Sequence, residues 1–259
     1  MIGIIGGYGI LDEKALKGAK KKSVKTKWGK PSGRITVGKL HGVEVAFLPR
    51  HGEKHIHNPT NVPYRANIAA LKKLGCGHII SVNAVGSLRD EIMPGEVVFV
   101  DQMIDFTHKR HRTFYDEKKV AHIGVAEPSC NALRKVLINA ARELGISHKE
   151  MGTYVCIEGP RFSTRAESRM FRAWGGDVIG MTMAPEAVLA REAEMCYANI
   201  ATVTDYDTFR EEESVSTELV LKTMEKNTAD VRRILAHALP RIEKERKCVC
   251  SSALKGAFI

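Results

Sequence analysis

Long apolar runs are missing from this 259-residue chain: none approaches the roughly 18 residues that a membrane span needs. The opening residues show no basic segment followed by an apolar one, so secretion is not expected and a soluble, cytoplasmic protein is. Aromatics are sparse at 6%, and glycine (22) and proline (9) are too few for a low-complexity or fibrous chain. The loop Gly6-Gly7-Tyr8-Gly9 lacks the third glycine of the dinucleotide fingerprint, Asp12 standing in its place, and it has no P-loop lysine. That removes the usual nicotinamide and ATP signatures. No helix-turn-helix, zinc-knuckle or RNA-recognition pattern accompanies the net charge of +10, so nucleic acid is not expected as a partner. The six cysteines include one close pair, Cys248-Val-Cys250, without a second pair at matching spacing. His51, His55 and His57 have no acidic or thiol ligand beside them, so no metal is expected.

What is present is a globular composition, 44% hydrophobic and 27% charged. The basic clusters at Lys17–Lys30, Lys109–Arg112, Lys118–Lys119 and Lys244–Lys247 read as solvated faces, and abundant Lys and Glu fit a thermostable surface. Apolar runs and helical periodicities alternate. Strands are expected at Ile2–Ile5, Arg34–Lys39, Val43–Leu48, His78–Val82, Glu96–Ile104, Thr153–Ile157, Asp177–Met181 and Asn199–Thr204. Helices are expected at Tyr64–Leu74, Ala132–Leu144, Thr164–Trp174 and Pro185–Cys196, with a long helical region over Ser216–Ile242. The expectation is a single α/β domain over 1–259, a mixed central sheet flanked by helices, with a C-terminal helical region and Cys-x-Cys tail from about 216.

In such folds functional residues gather beyond strand ends. Gly6–Gly9 is either a tight turn or an anion cradle, and Arg50-His51-Gly52 either a surface loop or an oxyanion site. Asn83–Arg89 either packs a helix closely or offers backbone N–H groups to a ligand. Thr204-Asp205-Tyr206-Asp207 is either a capped turn or a pair of carboxylates on one face of an extended segment, where like charge would raise one pKa.

Taken together, these strand ends resemble the trimeric purine nucleoside phosphorylase family, and within it the branch acting on S-methyl-5'-thioadenosine. The resemblance is carried by Gly3-Ile4-Ile5-Gly6-Gly7, Leu48-Pro49-Arg50-His51-Gly52, Tyr64-Arg65-Ala66-Asn67-Ile68, Gly86-Ser87-Leu88-Arg89 and Phe114-Tyr115-Asp116. It continues through the run from Ile157 to Glu167, Gly180-Met181-Thr182, Pro185-Glu186 and Thr204–Asp207. It implies a nucleoside phosphorylase fold and phosphorolysis of a 6-aminopurine nucleoside, giving adenine and a ribose 1-phosphate. Phosphate is the co-substrate, and no metal or organic cofactor is implied. A broader or 6-oxopurine phosphorylase and a phosphate-independent nucleosidase are the alternatives.

By motif match Arg50, His51, Ala84 and Thr182 would hold phosphate. So would Tyr8 and Asn83, which stand where the family usually carries hydroxyl residues. Met181 would lie on the ribose, and Phe162 and Ser163 on the base. Asp205 would protonate N7 and Asp207 would accept from the 6-amino group. His55 would line the 5' side, and His122 would reach the site of a neighbouring subunit in a trimer or a dimer of trimers. The 6-oxopurine branch carries Asn and Glu where this chain has Asp205 and Ser163, and a carboxylate favours an amino group over a carbonyl. Relatives from hot environments carry disulfides, including a C-terminal Cys-x-Cys, which implies a Cys248–Cys250 bridge here; a second bridge is expected between Cys130, which begins a helix in this reading, and Cys196, which ends one.

Overall fold

The strand β1 (Ile2–Gly6) is buried at every residue because it has a parallel partner on each side. Its residues Ile2–Ile5 pair with Val45–Leu48 on one edge and with His78–Ser81 on the other. A strand enclosed in this way reads as a continuous apolar run, as this one does. The computed structural model describes residues 1–7, 9–11, 15–210 and 217–259, without the side chains of 217–222. The strands that follow are β2 (Lys17–Lys22), β3 (Ile35–Leu40), β4 (Val43–Pro49), β5 (His78–Ser87), β6 (Val97–Val100), β7 (Gln102–Phe106), β8 (His148–Lys149), β9 (Thr153–Ile157), β10 (Val178–Gly180) and β11 (Cys196–Asp205). The helices are α1 (Tyr64–Lys73), α2 (Asn131–Glu143), α3 (Arg165–Ala173), α4 (Met183–Glu192) and α5 (Thr217–Ala238).

The strands form one mixed sheet in the order β2-β3-β4-β1-β5-β10-β9-β7, while β11, β6 and β8 extend from the other edge of β5. Successive strand residues face opposite layers. Ile2, Ile4 and Ile80 therefore meet Leu133 and Leu137 of α2 and Ile234 and Leu235 of α5. Ile5 and Ile79 meet Ile68 and Leu71 of α1 and Leu189 of α4. This is the expected mixed sheet with helices on both faces.

Two expectations change, and a third segment gains a strand. Glu96–Ile104 is two strands with different neighbours, β6 beside β11 and β7 beside β9. They part at Asp101, whose N–H and carboxylate are both tied to Gly152. The helix expected over Pro185–Cys196 ends at Glu192, Glu194 turns through a left-handed φ of 54°, and Cys196 opens β11 instead of closing a helix. The basic run Lys17–Lys22 is an edge strand with every residue exposed, and a lysine-coated edge resists pairing with another chain.

Candidate active site

The site sits at a gap in the sheet. β5 pairs with β11 along most of its length, but its other edge is shared. β1 covers His78–Ser81, running parallel, and β10 covers Gly86 and Ser87, running antiparallel. The C-terminal ends of β1 and β10 thus point toward each other across residues 82–85 of β5. Ala84, inside this gap, is the one exposed residue of the strand. Strand ends with exposed backbone are where open α/β sheets bind ligands.

One side of the gap is built on Arg50. Its N–H donates to the Gly6 carbonyl at 2.9 Å, which fixes the end of β4 beside the end of β1. The guanidinium is buried and forms a bidentate pair with Glu186, Nε to Oε2 at 2.9 Å and Nη2 to Oε1 at 3.1 Å. Nη2 also donates to Ser81 Oγ at 2.7 Å and Nη1 to the Val82 carbonyl at 2.9 Å. Four of the five guanidinium N–H groups are thus committed among the described residues, leaving one on Nη1 for a ligand. Burial by itself would lower the Arg50 pKa, and the Glu186 charge outweighs it and holds it above the usual value. Glu186 accepts further bonds from Ser81 at 2.6 Å and Tyr197 at 3.0 Å. Asn83 continues the network, its Oδ1 accepting from Ser81 at 3.0 Å and from Asn199, and its Nδ2 donating to Thr182 Oγ1. Thr182 follows β10, so this last bond ties the two sides of the gap together.

His51 donates from Nδ1 to the His57 carbonyl at 2.8 Å and stacks on His55 at 4.3 Å. Burial first, then the Arg50 charge, pulls its pKa down to about 4. At neutral pH the ring is uncharged, and its Nε2 presents a lone pair.

On the other side, β11 ends at Asp205, and the chain turns through Asp207 with a φ of 49°. The extended segment that would place both carboxylates on one face is therefore absent. Asp205 Oδ1 accepts the Asp207 N–H at 2.8 Å and Oδ2 accepts Thr204 Oγ1 at 2.7 Å. Ser163 Oγ lies 2.6 and 2.7 Å from the two Asp207 oxygens. Gly86 is a required glycine: a Cβ there would stand 2.8 Å from Asp205 Oδ1 and 3.2 Å from Asp207 Cβ. Arg172, 3.8 Å over the Phe209 ring, and Arg210, 3.4 Å over Tyr206, both bind Asp90, which braces this turn against the loop after β5.

Arg110 is a residue the sequence reading missed. It lies in a basic cluster taken for a solvated face, yet it is buried. Nη2 donates to the Glu158 carbonyl at 2.7 Å and Nη1 to the Met181 and Ala184 carbonyls at 2.7 and 2.6 Å. Nε donates to the Glu158 carboxylate at 2.9 Å, and Tyr64 OH lies 3.1 Å from Nη1. Burial pushes the Glu158 carboxyl up, but the His108 and Lys109 N–H groups and Arg110 outweigh it and hold it at about 2. One guanidinium therefore fixes the loops after β9 and β10. Gly159 completes the close fit, since a Cβ there would stand 2.5 Å from Met181 Sδ.

The gap thus gathers Arg50, His51, Asn83 and Ala84 on one side, and Ser163, Asp205 and Asp207 on the other, with Thr182 after β10 bonded across it to Asn83. His55 stands beside His51, Met181 follows β10, and Phe162, next to Ser163, is 44% exposed. His122 lies instead in a short pairing with the C-terminal tail, its N–H donating to the Ala257 carbonyl at 2.8 Å. Tyr8 falls outside the described residues. A cavity of about 810 Å³ lies between Trp28, the end of α1 and the 114–119 loop, and none of the expected site residues lines it. The cysteines expected in two pairs lie close together. Cys130 and Cys196 supply the second pair that spacing could not reveal, and with Cys248 and Cys250 they form one cluster of thiols.

The family described as the phosphorylase superfamily matches residues 1–240. The S-methyl-5'-thioadenosine phosphorylase of Pyrococcus horikoshii is 53% identical, over 100% of this chain and 99% of that protein. The protein of the same name from Danio rerio is 51% identical, over 93% of this chain and 88% of that one. Among solved structures, methylthioadenosine phosphorylase from Schistosoma mansoni in complex with adenine superposes with a TM-score of 0.93 at 40% identity, covering 99% of this chain and 96% of that one. With the whole chain aligned at this level, it belongs to the phosphorylase superfamily.

Proposed function

We propose that the chain is a phosphorylase that cleaves S-methyl-5'-thioadenosine with phosphate, yielding adenine and 5-methylthioribose 1-phosphate. The observation that carries this reading is the gap on β5, with a buried arginine on one side and two buried aspartates on the other. Glycosidic cleavage develops positive charge at the sugar and negative charge on the leaving base. An anion fixed near C1' stabilises the first, and a proton donor at the base stabilises the second.

The exposed backbone at Ala84, the remaining Arg50 N–H and Thr182 are the donors for the anion. His51 Nε2 accepts from the hydroxyl of monohydrogen phosphate, because its Nδ1 proton is already given to His57. Met181 lies against the ribose and Phe162 over the base. Asp205 serves N7. Asp207 accepts from the 6-amino group, Ser163 holding its carboxylate in place. A 6-oxopurine would set its carbonyl against that carboxylate, and a mispaired buried polar group costs about 1–3 kcal/mol.

The working form in this reading is a homo-oligomer, a trimer or a dimer of trimers, in which His122 enters a neighbouring site. Val120 and Val125, flanking His122, are 52% and 40% exposed in the single chain, which supports a partner there. No helix among the described residues is long and apolar enough to cross a membrane.

The test is release of adenine from methylthioadenosine with and without phosphate. Stoichiometric phosphate consumption is the expected result. Equal rates in phosphate-free buffer would make the protein a nucleosidase, and faster turnover of inosine than of methylthioadenosine would overturn the base assignment. Sedimentation gives the oligomeric state.

A further inference from the structure

Thr204, one residue before Asp205, has one hydroxyl proton and two acceptors for it. It is buried, and its Oγ1 lies 3.1 Å from the Val85 carbonyl oxygen and 2.7 Å from Asp205 Oδ2. A hydroxyl holds one proton and two lone pairs, and a carbonyl only accepts. When the Thr204 proton points at Asp205, the short contact suits an ionised carboxylate. When it points at Val85, the same contact is a hydrogen bond only if Asp205 supplies the proton. Thr202, two residues earlier on β11, has a simpler arrangement. Its hydroxyl donates to the Asn83 carbonyl at 3.1 Å, and the next residue, Val203, offers no side-chain acceptor.

The strand pairing marks Thr204 out as well. β11 slips against β5 at this residue: Val203 lies opposite Val85 and Asp205 opposite Gly86, so Thr204 is the extra residue. Bulges of this kind re-aim side chains beside active sites. This one is held from α5 and from the loop before β6, since the Val203 carbonyl accepts from Asn227 Nδ2 at 2.9 Å and from the Gly95 N–H at 2.8 Å.

We propose that Thr204 is a positioning residue for the acid at Asp205, stabilising it both with and without its proton. The inference rests on the phosphorolysis reading above. In the acid form Oδ1 already accepts the Asp207 N–H at 2.8 Å, so the proton sits on Oδ2, and Thr204 donates to Val85 while turning a lone pair to that oxygen. As the C1'–N9 bond breaks, its electron pair passes to the base, a phosphate oxygen bonds to C1' and the Oδ2 proton goes to N7. The hydroxyl of Thr204 then swings from Val85 to Oδ2 and donates to the new carboxylate without moving a heavy atom. A hydrogen bond to a charged group is roughly twice as strong as a neutral one, so Thr204 helps Asp205 to give its proton up. Asp205 recovers a proton from solvent and the new phosphate ester releases one, so none is consumed.

The experiment compares Thr204→Val, which keeps the shape and removes the hydroxyl, with Thr204→Ser, which keeps the hydroxyl. At saturating phosphate, kcat for methylthioadenosine should fall about tenfold or more in Thr204→Val, with KM close to that of the unaltered chain. Thr204→Ser should recover most of the loss. The second substrate is the 2-fluoro analogue of methylthioadenosine, whose electron-poor base leaves more readily without a proton. Its turnover should fall less in Thr204→Val, because it depends less on the acid. A merely structural role would slow both substrates equally, and that result overturns the proposal, as does an unchanged kcat. If Thr204→Val fails to fold, Thr204→Ser against Thr204→Ala gives the same contrast on both substrates. An unaltered chain that cleaves neither nucleoside defeats the phosphorolysis reading and this inference with it. An active unaltered chain with insensitive variants defeats this inference alone.

Discussion

Arg110 Nη1 donates to the carbonyl of Met181 at 2.7 Å, so a buried cation holds the residue that follows β10 by its backbone. The same guanidinium holds the Ala184 and Glu158 carbonyls. Arg110 touches none of the reacting groups and acts as a positioning residue. Lysine has one nitrogen and no fork, so Arg110→Lys cannot span these acceptors. Misplacing a bound substrate by about 1 Å costs around 10²-fold in rate. The expected result is a fall of that order in kcat, with partial rescue of Arg110→Ala by added guanidinium. A wholly structural role would lower the melting temperature without guanidinium rescue.

The two aspartates are expected to separate in their effects. Asp205→Asn removes the proton donor, and nucleoside turnover should drop by about 10²-fold or more. Asp207→Asn places an amide beside the 6-position, so inosine should gain relative to adenosine. A steady-state comparison of the two nucleosides for each variant checks this. Unchanged preference in Asp207→Asn would remove that residue from base recognition.

Gly86→Ala tests the same turn from its other side. The added Cβ would stand 2.8 Å from Asp205 Oδ1, closer than real Cβ contacts come, so the carboxylate has to shift. Activity should fall well below wild type while circular dichroism stays native. Full activity would mean that Asp205 tolerates displacement.

Much of this was legible in the sequence because it follows local rules. Apolar runs marked β1 and β11, and Thr164 with Glu167 forms the capping box that opens α3. The loops that carry the site were readable as strand ends. What local rules could not supply was long-range pairing. Arg50 and Glu186 are 136 residues apart, and nothing in either neighbourhood announces that the arginine is already satisfied. Arg110 was hidden by its basic neighbours, although its burial sets it apart from them. That the two expected cysteine pairs meet in one cluster was missed for the same reason, since spacing along the chain does not show that the C-terminal tail reaches Cys130 and Cys196.

The Arg50–Glu186 pair gives a stability prediction. Removing one partner of a buried ion pair leaves the other charge uncompensated and costs about 3–5 kcal/mol. Glu186→Gln should therefore lower the denaturant midpoint clearly. The double variant Arg50→Met/Glu186→Leu should recover much of that loss, because no lone charge remains, yet it should bind phosphate poorly. Equal instability of the single and double variants would mean that packing, not charge, dominates at this position.

Acid titration separates His51 from the carboxylates. Its pKa in the folded chain is about 4, below the ordinary value of 6.5, so the folded state resists protonation. Between these values the unfolded chain binds the proton and the folded chain does not. Stability is therefore lost as pH falls from about 6.5 toward 4. His78, pulled down by burial and by Arg246, adds to the same slope. Glu158 and Glu167 have folded pKa values of about 2, so their contribution is intact above about 4.5 and is lost only at lower pH. Melting temperatures measured at intervals from pH 7 to 4.5 should decline for the unaltered chain. The decline should be shallower in His51→Gln, which cannot titrate. Identical slopes would show that the pKa of His51 is not lowered by folding.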